Sequence, residues 1–463
     1  MISLYKVYYL FFVLGWFFFP FNDFKGFSFL GEFKNEAGSY FFLVGFFILI
    51  LEFFINGKIS IPYKSKIFQI LIIFFIWCII TILLNIVQVN NSFFKHTTGF
   101  SRFMRQFISL FISAFAFLIF FWNVIKNWTS SEILFKTRKV FLVCFLFVFT
   151  YGILETLIVF FKIGSLRPVL ALFDYFPFLD VNYGNNQRIS SVTYEAPSLG
   201  NYLITTSGWM FSFIFTEKNK YRFLPTFMVV FLAFFSGSRT ALINITLQLL
   251  ILILVLYSMK EYRKLLKQFF RGIVVFSTFL LIINGPSIVR EFEKKIQSLD
   301  FAKNLKKDLS NKSRFGMQYA SIQVFLEHPI VGVGFGQETY YKRFHYPEWA
   351  TRDNYEFKYI YQNTSIKSFP TAYNLFTRLL AETGIIGFLI FGFLIYQCIS
   401  KSRFLYINTI EEDKIISLIL LISFCGLSLN WMQTDFFRQY GFWLCVVILI
   451  KILNNKNFKL KFS

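Results

Sequence analysis

Apolar residues follow one another along this chain in long blocks, and polar residues are confined to the stretches between the blocks. A block holds about 20 residues, the length at which an α-helix crosses the hydrocarbon core of a bilayer. The pattern therefore predicts an all-α polytopic integral membrane protein with about twelve transmembrane helices. The predicted spans are 4–21, 39–56, 67–89, 102–125, 139–162, 198–216, 222–236, 240–259, 268–284, 374–398, 414–431 and 436–453.

The composition supports the membrane class. Hydrophobic residues make up 56% of the 463 positions, more apolar surface than a soluble domain buries in its core. No small-residue cleavage site follows the first block, so we interpret it as a span and not as a signal peptide. The five cysteines lie inside apolar blocks without a CxxC spacing, which indicates buried hydrophobes and neither a disulfide framework nor a metal site.

Basic residues indicate the orientation. Lys and Arg concentrate after the second, fourth, sixth and eighth predicted spans and after the last one, and the loops between them are poorer in both. The positive-inside rule then places both termini in the cytoplasm. This distribution accounts for the net charge of +22 by membrane topology and contact with anionic lipid, so nucleic-acid binding is not expected.

Two longer loops interrupt the alternation of spans, and both are predicted on the external face. Residues 163–197 form a medium loop, and residues 285–373 form a large one before the tenth span. In the large loop, 286–329 has apolar residues at helical spacing, which predicts one or two helices at the membrane surface. With no internal repeat and no linker, 1–463 is predicted to be a single membrane domain.

The first candidate site is the predicted external turn between the seventh and eighth spans, 235-FSGSRTALINI-245. Arg239 follows a Ser-Gly-Ser turn and precedes a helix, so helix N-terminal amides and a guanidinium together could bind an anion. The alternative is an interfacial arginine whose side chain snorkels to the headgroups. The turn alone favours neither.

Other cations and glycines lie on the same predicted face. Arg188 and Arg314 each precede a small-residue or glycine-rich stretch, and several arginines together suit a diphosphate; the alternative is solvated loop arginines. In 329-PIVGVGFGQ-337, Gly334 and Gly336 indicate a tight loop beside a glycan or phosphate, or else a simple re-entrant turn. A dinucleotide fingerprint is excluded, since no strand–turn–helix context surrounds it.

Few acidic residues are candidates for acid–base chemistry. Glu195 precedes the sixth span, and Glu382 lies in the tenth span one turn after Arg378, where it either forms a structural ion pair or acts as a base. The histidines, His345 among them, have no metal-ligand spacing, so no metal-dependent chemistry is expected.

Three stretches in this order resemble the core of the bacterial O-antigen polymerase and O-antigen ligase superfamily: 236-SGSRTALI-243, 328-HPIVGVGFG-336 and 373-YNLFTRLLAETGIIGFLIF-391. The resemblance covers about residues 188–395. It implies a GT-C-like, metal-independent and cofactor-free glycosyltransferase of the bacterial inner membrane. Its active site would face the periplasm or exterior, and its donor would be an undecaprenyl-diphosphate-linked oligosaccharide. It also implies a chain-length-determining co-polymerase as a partner.

Carried onto this sequence, the resemblance implies that Arg188, Arg239 and Arg314 hold the donor diphosphate, with Ser238, Gly334 and Gly336 in the same substrate site. Ligases of this family carry a histidine near the start of the helix after the large loop, where this chain has Tyr373 and Asn374. This difference and the polymerase-like stretch 190-SSVTYEAPS-198 favour a repeat-unit polymerase. Three residues are candidates for the base, in the order Glu195, Glu382 and His345.

Two alternatives stay open from the sequence. One is a ligase that transfers finished glycan to lipid A-core or to a protein. The other is a flippase or transporter, although transporters often show two related halves and this chain shows none.

Overall fold

The structure is a computed structural model that describes residues 4–57, 59–181, 188–264, 266–267, 271 and 309–454. Within these ranges the chain is predominantly helical, and strand pairing is limited to a hairpin in which Phe93 pairs with Thr98 and Phe94 with Thr97. The predicted ninth span, 268–284, lies outside the described residues, as does the beginning of the predicted large loop, 285–308.

We number the described α-helices in chain order. They are α1 (Leu4–Phe17), α2 (Ala37–Asn56), α3 (Lys66–Leu84), α4 (Ile86–Asn91), α5 (Gly99–Phe111), α6 (Phe117–Ile125), α7 (Ser130–Val159), α8 (Arg167–Ala171), α9 (Ala196–Phe211), α10 (Phe213–Thr216), α11 (Leu224–Phe235), α12 (Arg239–Ser258), α13 (Leu309–Glu327), α14 (Glu338–Lys342), α15 (Glu348–Thr351), α16 (Leu375–Asn408), α17 (Glu411–Asn430) and α18 (Tyr440–Asn454). Short 3-10 segments lie at Ser28–Phe33, Gly164–Leu166, Leu172–Tyr175 and Lys220–Phe223, and π-helical turns at Ile112–Ala116 and Glu356–Tyr361.

Several of these helices are long and apolar enough to cross a bilayer. In the described part of the chain they are α2, α3, the continuous α5–α6 rod at Gly99–Ile125, α7, α12 and α16, and three shorter apolar helices lie at Leu4–Phe17, Tyr221–Phe235 and Tyr440–Asn454. All predicted spans other than 268–284 lie on helices. The fold is that of a polytopic membrane protein.

Helix α7 begins nine residues before the predicted span because a polar cap starts it. The Thr129 hydroxyl accepts a hydrogen bond from the Glu132 backbone N–H at 3.2 Å, and the Glu132 carboxylate accepts one from the Thr129 N–H at 2.9 Å. This reciprocal capping box satisfies two N–H groups that have no partner inside the helix.

Two helices form the centre of the bundle. Nearly every residue of α9 and of α18 is buried. Helix α18 is apolar on almost all faces, and α9 combines apolar residues with small polar ones that fit a packed interior. Helix α9 contacts α7, α11, α12 and α17, and α18 contacts α6 and α17. The first turn of α9 and the segment just before α18 therefore lie among the ends of several other helices.

One buried amide joins three of these helices. Gln248 of α12 is fully buried, and its amide nitrogen donates to the carbonyl oxygens of Ile204 at 3.0 Å and Ile422 at 3.2 Å. Its amide oxygen accepts from the Ser207 hydroxyl at 2.8 Å. The close approach requires Gly426 of α17, where a Cβ would lie 2.3 Å from the Gln248 amide nitrogen. Gln248 thus fixes α12 against α9 and α17.

Helix α16 is interrupted at Gly384, whose φ of 64° and ψ of −170° are open essentially to glycine alone. Backbone carbonyls freed inside a membrane must find partners. The carbonyl of Ala381 accepts from the Val333 N–H at 2.9 Å and that of Glu382 from the Gly334 N–H at 3.0 Å. The indole N–H of Trp77 donates to the Thr383 carbonyl at 3.0 Å. The segment 329–337 therefore packs into the interruption.

This packing makes a prediction for Gly384. A Cβ at this position would lie 2.1 Å from the Ile330 carbonyl oxygen. We expect Gly384→Ala to destabilise the folded protein by about 3 kcal/mol or more, from backbone strain and this collision. The measurement is thermal unfolding of the detergent-purified protein.

Gly392→Ala is the matched control in the same helix, because nothing lies within 4 Å of a Cβ there. We expect it to be neutral or to stabilise by about 0.5–1 kcal/mol, the helix preference of Ala over Gly. Equal melting temperatures for both variants would contradict the proposed packing.

Candidate functional site

A cavity of about 820 Å³, which we call the arginine cavity, opens where α12 begins. It is lined by Arg188, Pro197, Gly237, Ser238, Arg239, Thr240, Ile243, Ser310, Asn311, Arg314, Phe315, Gln318 and Gln433. Three arginines from separate parts of the chain thus share one wall, and no Asp or Glu is among the described residues that line it. The described lining of the cavity is therefore strongly cationic.

The turn before α12 brings Arg239 to this cavity. Gly237 has a left-handed φ of +63°, and Ser238 caps the helix by accepting a hydrogen bond from the Ala241 N–H at 3.3 Å. Arg239 is partly buried, and its Nη1 donates to the Asn311 side-chain oxygen of α13 at 3.3 Å. The first turn of a 20-residue helix and a guanidinium therefore meet at one wall, an arrangement that favours anions.

Arg188 reaches the same wall across the glycine turn. A Cβ on Gly237 would lie 3.1 Å from Cγ of Arg188, so the arginine stem packs directly on the glycine backbone. Glu155, near the end of α7, holds the turn that follows Arg188. Its side chain is buried, with only 1% of its surface exposed. Glu155 accepts hydrogen bonds from the backbone N–H groups of Ser190 at 3.1 Å and Ser191 at 2.7 Å.

Arg314 comes from one face of α13. Residues 311, 314, 315 and 318 follow helical spacing and all line the cavity. The Arg314 guanidinium donates to the Gln433 side-chain oxygen at 3.4 Å and lies 5.5 Å from the centre of the Tyr373 ring. These contacts hold the guanidinium at the edge of the cavity.

A second cavity, of about 840 Å³, adjoins the first, and we call it the Glu36 cavity. It is lined by Phe19, Pro20, Asn22, Glu36, Glu195, Pro197, Ser198, Asn201, Tyr202, Thr434, Phe436, Arg438 and Tyr440. Pro197 lines both cavities, so the first turn of α9 separates them.

Glu195 lies beside this partition. It precedes α9 with an extended backbone, its side chain is exposed, and it does not cap the helix. Within the described part of the chain its carboxylate forms no hydrogen bond or ion pair. An exposed, unpaired carboxylate next to a cationic cavity is free to accept a proton from a bound hydroxyl.

Glu382 is in a different environment. It is 2% exposed and pairs with Arg378 at 3.0 Å, and the same guanidinium donates to the Gln106 side-chain oxygen at 2.8 Å and to the Asp435 carbonyl at 2.7 Å. The pair joins α16 to α5 and to the segment before α18. It lines neither cavity, which fits the ion-pair alternative for Glu382.

The network continues toward the Glu36 cavity. The Gln106 amide donates to Glu32, whose other carboxylate oxygen accepts from Arg438. Burial raises the pKa of Glu32, but Arg438, Arg102 and Arg378 outweigh it and leave the pKa below its ordinary value. Glu32 is therefore ionised at neutral pH and holds Arg438 in place.

The remaining predicted site residues lie elsewhere. Gly334 and Gly336 have φ of +101° and +81° and are buried in the segment 329–337, against Ile82 and Gln106. The tight loop is present, but the structure does not bring it to the arginine cavity, because it fills the interruption in α16. His345 lines neither cavity, and its Nε2 lies 3.2 Å from the Glu327 carboxylate.

Sequence reasoning missed the residues that complete the walls. Asn311 and Gln433 contact the arginines, and Glu155 anchors the turn after Arg188. The sequence does single out Glu155 in one respect: it is an acidic residue inside a predicted span, where ionisable residues are costly and therefore rare. The described residues contain no group of three or more His, Cys, Asp or Glu that could hold a metal ion.

A comparison with known protein families finds a match in the part of the chain that contains α12 and α13. Residues 224–392, which include Arg239, Arg314 and the interruption of α16 at Gly384, match a family model described as O-antigen ligase. No curated protein matches the chain. The match covers just over a third of the chain and supports a relation to the O-antigen polymerase and ligase superfamily.

Proposed function

We propose that this protein is a surface-polysaccharide polymerase, for O-antigen or capsule, that moves a glycan from undecaprenyl diphosphate onto the next lipid-linked repeat unit. The observation that carries the proposal is the convergence of Arg188, Arg239 and Arg314 on one cavity that lacks lining acids among the described residues. The match to the O-antigen ligase family supports a lipid-linked glycan as substrate. The predicted topology places the reaction on the external face of the inner membrane.

The arginine cavity suits the leaving group. When the bond between the anomeric carbon and the phosphate oxygen breaks, both bonding electrons remain with the diphosphate, and its negative charge increases. Arginines that are already in place stabilise that charge, and their planar forks pair with phosphate oxygens in two-point contacts. The reaction then needs no metal ion to neutralise the leaving group.

Glu195 suits the acceptor side. The acceptor hydroxyl attacks the anomeric carbon as the diphosphate leaves, and its proton has to pass to a base. Glu195 lies at the partition between the two cavities and is unpaired within the described residues, whereas Glu382 is engaged with Arg378. We therefore assign the base to Glu195.

The lipid part of the donor has a route along α12. Ile243 lines the arginine cavity and is 40% exposed, and Leu250 and Leu254 are exposed on the same side of the helix at spacings of seven and eleven residues. The cavity thus continues into an apolar helix surface that a polyprenyl chain can follow within the bilayer.

A ligase is the second candidate, since it is the activity that the description of the matched family names. The positions before α16 favour the polymerase. Asn374 caps α16 by accepting hydrogen bonds from the Phe376 and Thr377 N–H groups, and the Tyr373 hydroxyl lies 2.7 Å from that of Tyr361. At the positions where ligases of this family carry a histidine, this chain has Tyr373 and Asn374, and both side chains have structural roles.

The first prediction from the proposed function concerns Arg239. Arg239→Ala removes one of three cations from the leaving-group cavity, and we expect polymer formation to fall by about 10²–10³-fold, as for loss of one transition-state donor. Arg239→Lys keeps the charge but loses the planar fork, so we expect partial recovery. The measurement is the polysaccharide ladder of complemented cells, with the protein level in the membrane determined in parallel.

Arg352→Ala is the matched control, because Arg352 is exposed and lines neither cavity. It is expected to leave the ladder unchanged. A normal ladder in cells with Arg239→Ala would remove the basis for a diphosphate site and restore the snorkelling interpretation of Arg239.

The second prediction separates the two glutamates. Glu195→Gln is expected to lower polymer formation by about 10²–10⁴-fold and to leave the melting temperature unchanged. Glu382→Ala leaves the buried Arg378 without its ion-pair partner, and we expect the free energy of unfolding to fall by about 3–5 kcal/mol. The measurements are transfer activity and thermal unfolding of both purified variants; an active Glu195→Gln protein would rule out Glu195 as the base.

The third prediction separates polymerase from ligase. In a deletion strain we expect the long ladder to be lost while single repeats remain on the final acceptor, and complementation to restore the ladder. Extraction of lipid-linked intermediates checks this. Long glycan accumulating on undecaprenyl diphosphate would instead show a ligase, and repeats retained on the cytoplasmic face would show a transporter.

A further inference from the structure

We infer that the Glu36 cavity is the binding site for the acceptor saccharide, the sugar whose hydroxyl attacks the donor. The inference rests on the proposed function, which assigns the diphosphate to the arginine cavity. It follows from the position of the Glu36 cavity across Pro197 and from the chemistry of its walls.

The cavity presents a fixed carboxylate. Glu36 Oε1 accepts from Arg438 Nε at 2.9 Å, and Oε2 accepts from the Tyr440 hydroxyl. Arg438 is itself held by Glu32 and by the Ser109 hydroxyl. A carboxylate has about four lone-pair positions, so Glu36 retains acceptor capacity for sugar hydroxyls while its orientation is held by the protein.

Two amides supply donors to the same cavity. The Asn201 side-chain oxygen accepts from the Asn430 amide at 3.0 Å, and the Asn22 side-chain oxygen accepts from the Tyr194 backbone N–H at 2.7 Å. Among the described residues, the side-chain NH₂ groups of Asn22 and Asn201 have no acceptor. Each can donate to a sugar oxygen without breaking the contact that orients it.

Aromatic rings complete the walls. Phe19, Tyr202 and Phe436 line the cavity together with Tyr440. Phe436 is partly exposed, and the Arg438 guanidinium lies 5.1 Å from its ring centre. A sugar ring carries C–H groups on its faces and hydroxyls on its rim, so it can pack on an aromatic ring while its rim bonds with carboxylates and amides.

The charges that line the two cavities indicate which substrate group each cavity binds. Among the described lining residues, the Glu36 cavity has two carboxylates, Glu36 and Glu195, and one arginine, whereas the arginine cavity has three arginines and no acid. A diphosphate is therefore repelled from the first and attracted to the second, while a neutral saccharide is accepted by the first.

The experiment measures the binding of two probes to two variants of the purified full chain in lipid nanodiscs. The probes are inorganic diphosphate and the repeat oligosaccharide released by mild acid from the lipid-linked intermediates of the deletion strain; binding is followed by saturation-transfer NMR. We expect Phe436→Ala to weaken saccharide binding at least fivefold and to change diphosphate binding less than twofold. Arg239→Ala should show the opposite pattern.

Phe344→Ala is the matched control, since Phe344 is 73% exposed and lines neither cavity. Asn201→Ala serves as a second variant of the Glu36 cavity, and unchanged diphosphate binding shows that each variant is folded. A transfer assay with lipid-linked polymer as donor and a lipid-linked single repeat as acceptor completes the test. There, Phe436→Ala should raise the KM for the acceptor about tenfold and leave the KM for the donor unchanged.

The outcomes separate the inference from the proposed function. Unchanged saccharide binding in both Glu36-cavity variants, no saccharide binding by the unmodified protein at millimolar concentration, or a rise in the donor KM would each overturn the acceptor assignment. Diphosphate binding that does not depend on Arg239 would instead overturn the proposed function, even where saccharide binding still depends on Phe436.

Discussion

The geometry of both cavities depends on one buried amide in the middle of the bundle. An amide without water must place each donor and acceptor on a partner, and Gln248 does so only when α9, α12 and α17 lie in one register. Glu195 precedes α9, Arg239 begins α12, and Gln433 follows α17. A polar contact deep in the bundle therefore sets the relative positions of the carboxylate, the guanidinium and the amide at its end.

The charges at this end of the bundle fall into two groups. Arg378 is buried against Glu382, and the half-buried Arg438 pairs with Glu32 and Glu36. Their role is to join helix ends, since a buried charge without its partner is strongly destabilising. The cations of the arginine cavity contact neutral amides, Asn311 and Gln433, and no carboxylate is among its described lining residues. The described lining of this cavity therefore carries an excess of positive charge, which favours an anion.

The sequence supports part of this picture, and the limits have physical reasons. Hydrophobic blocks predict helices because a span must satisfy its own backbone, and the Ser-Gly-Ser turn predicts a helix start at Arg239. The glycines of 329–337 indicate positive φ, but a local motif does not say what the loop packs against, and here it is the interruption in α16. Long-range pairs, such as Glu155 with the Ser190 N–H, leave no periodic signal. The catalytic and binding roles of the arginines and of Glu195 stay predictions.

The size of the cavities bears on how polymer length is determined. The cavities have volumes of about 820 and 840 Å³ including space open to solvent, far less than a long glycan occupies. Side chains at the site therefore contact only the sugars next to the reacting bond, and every elongation step presents them with the same groups. Under the proposed function, these contacts cannot distinguish a short chain from a long one. Length control then requires information from outside the two cavities, which is the role that the resemblance gives to a co-polymerase.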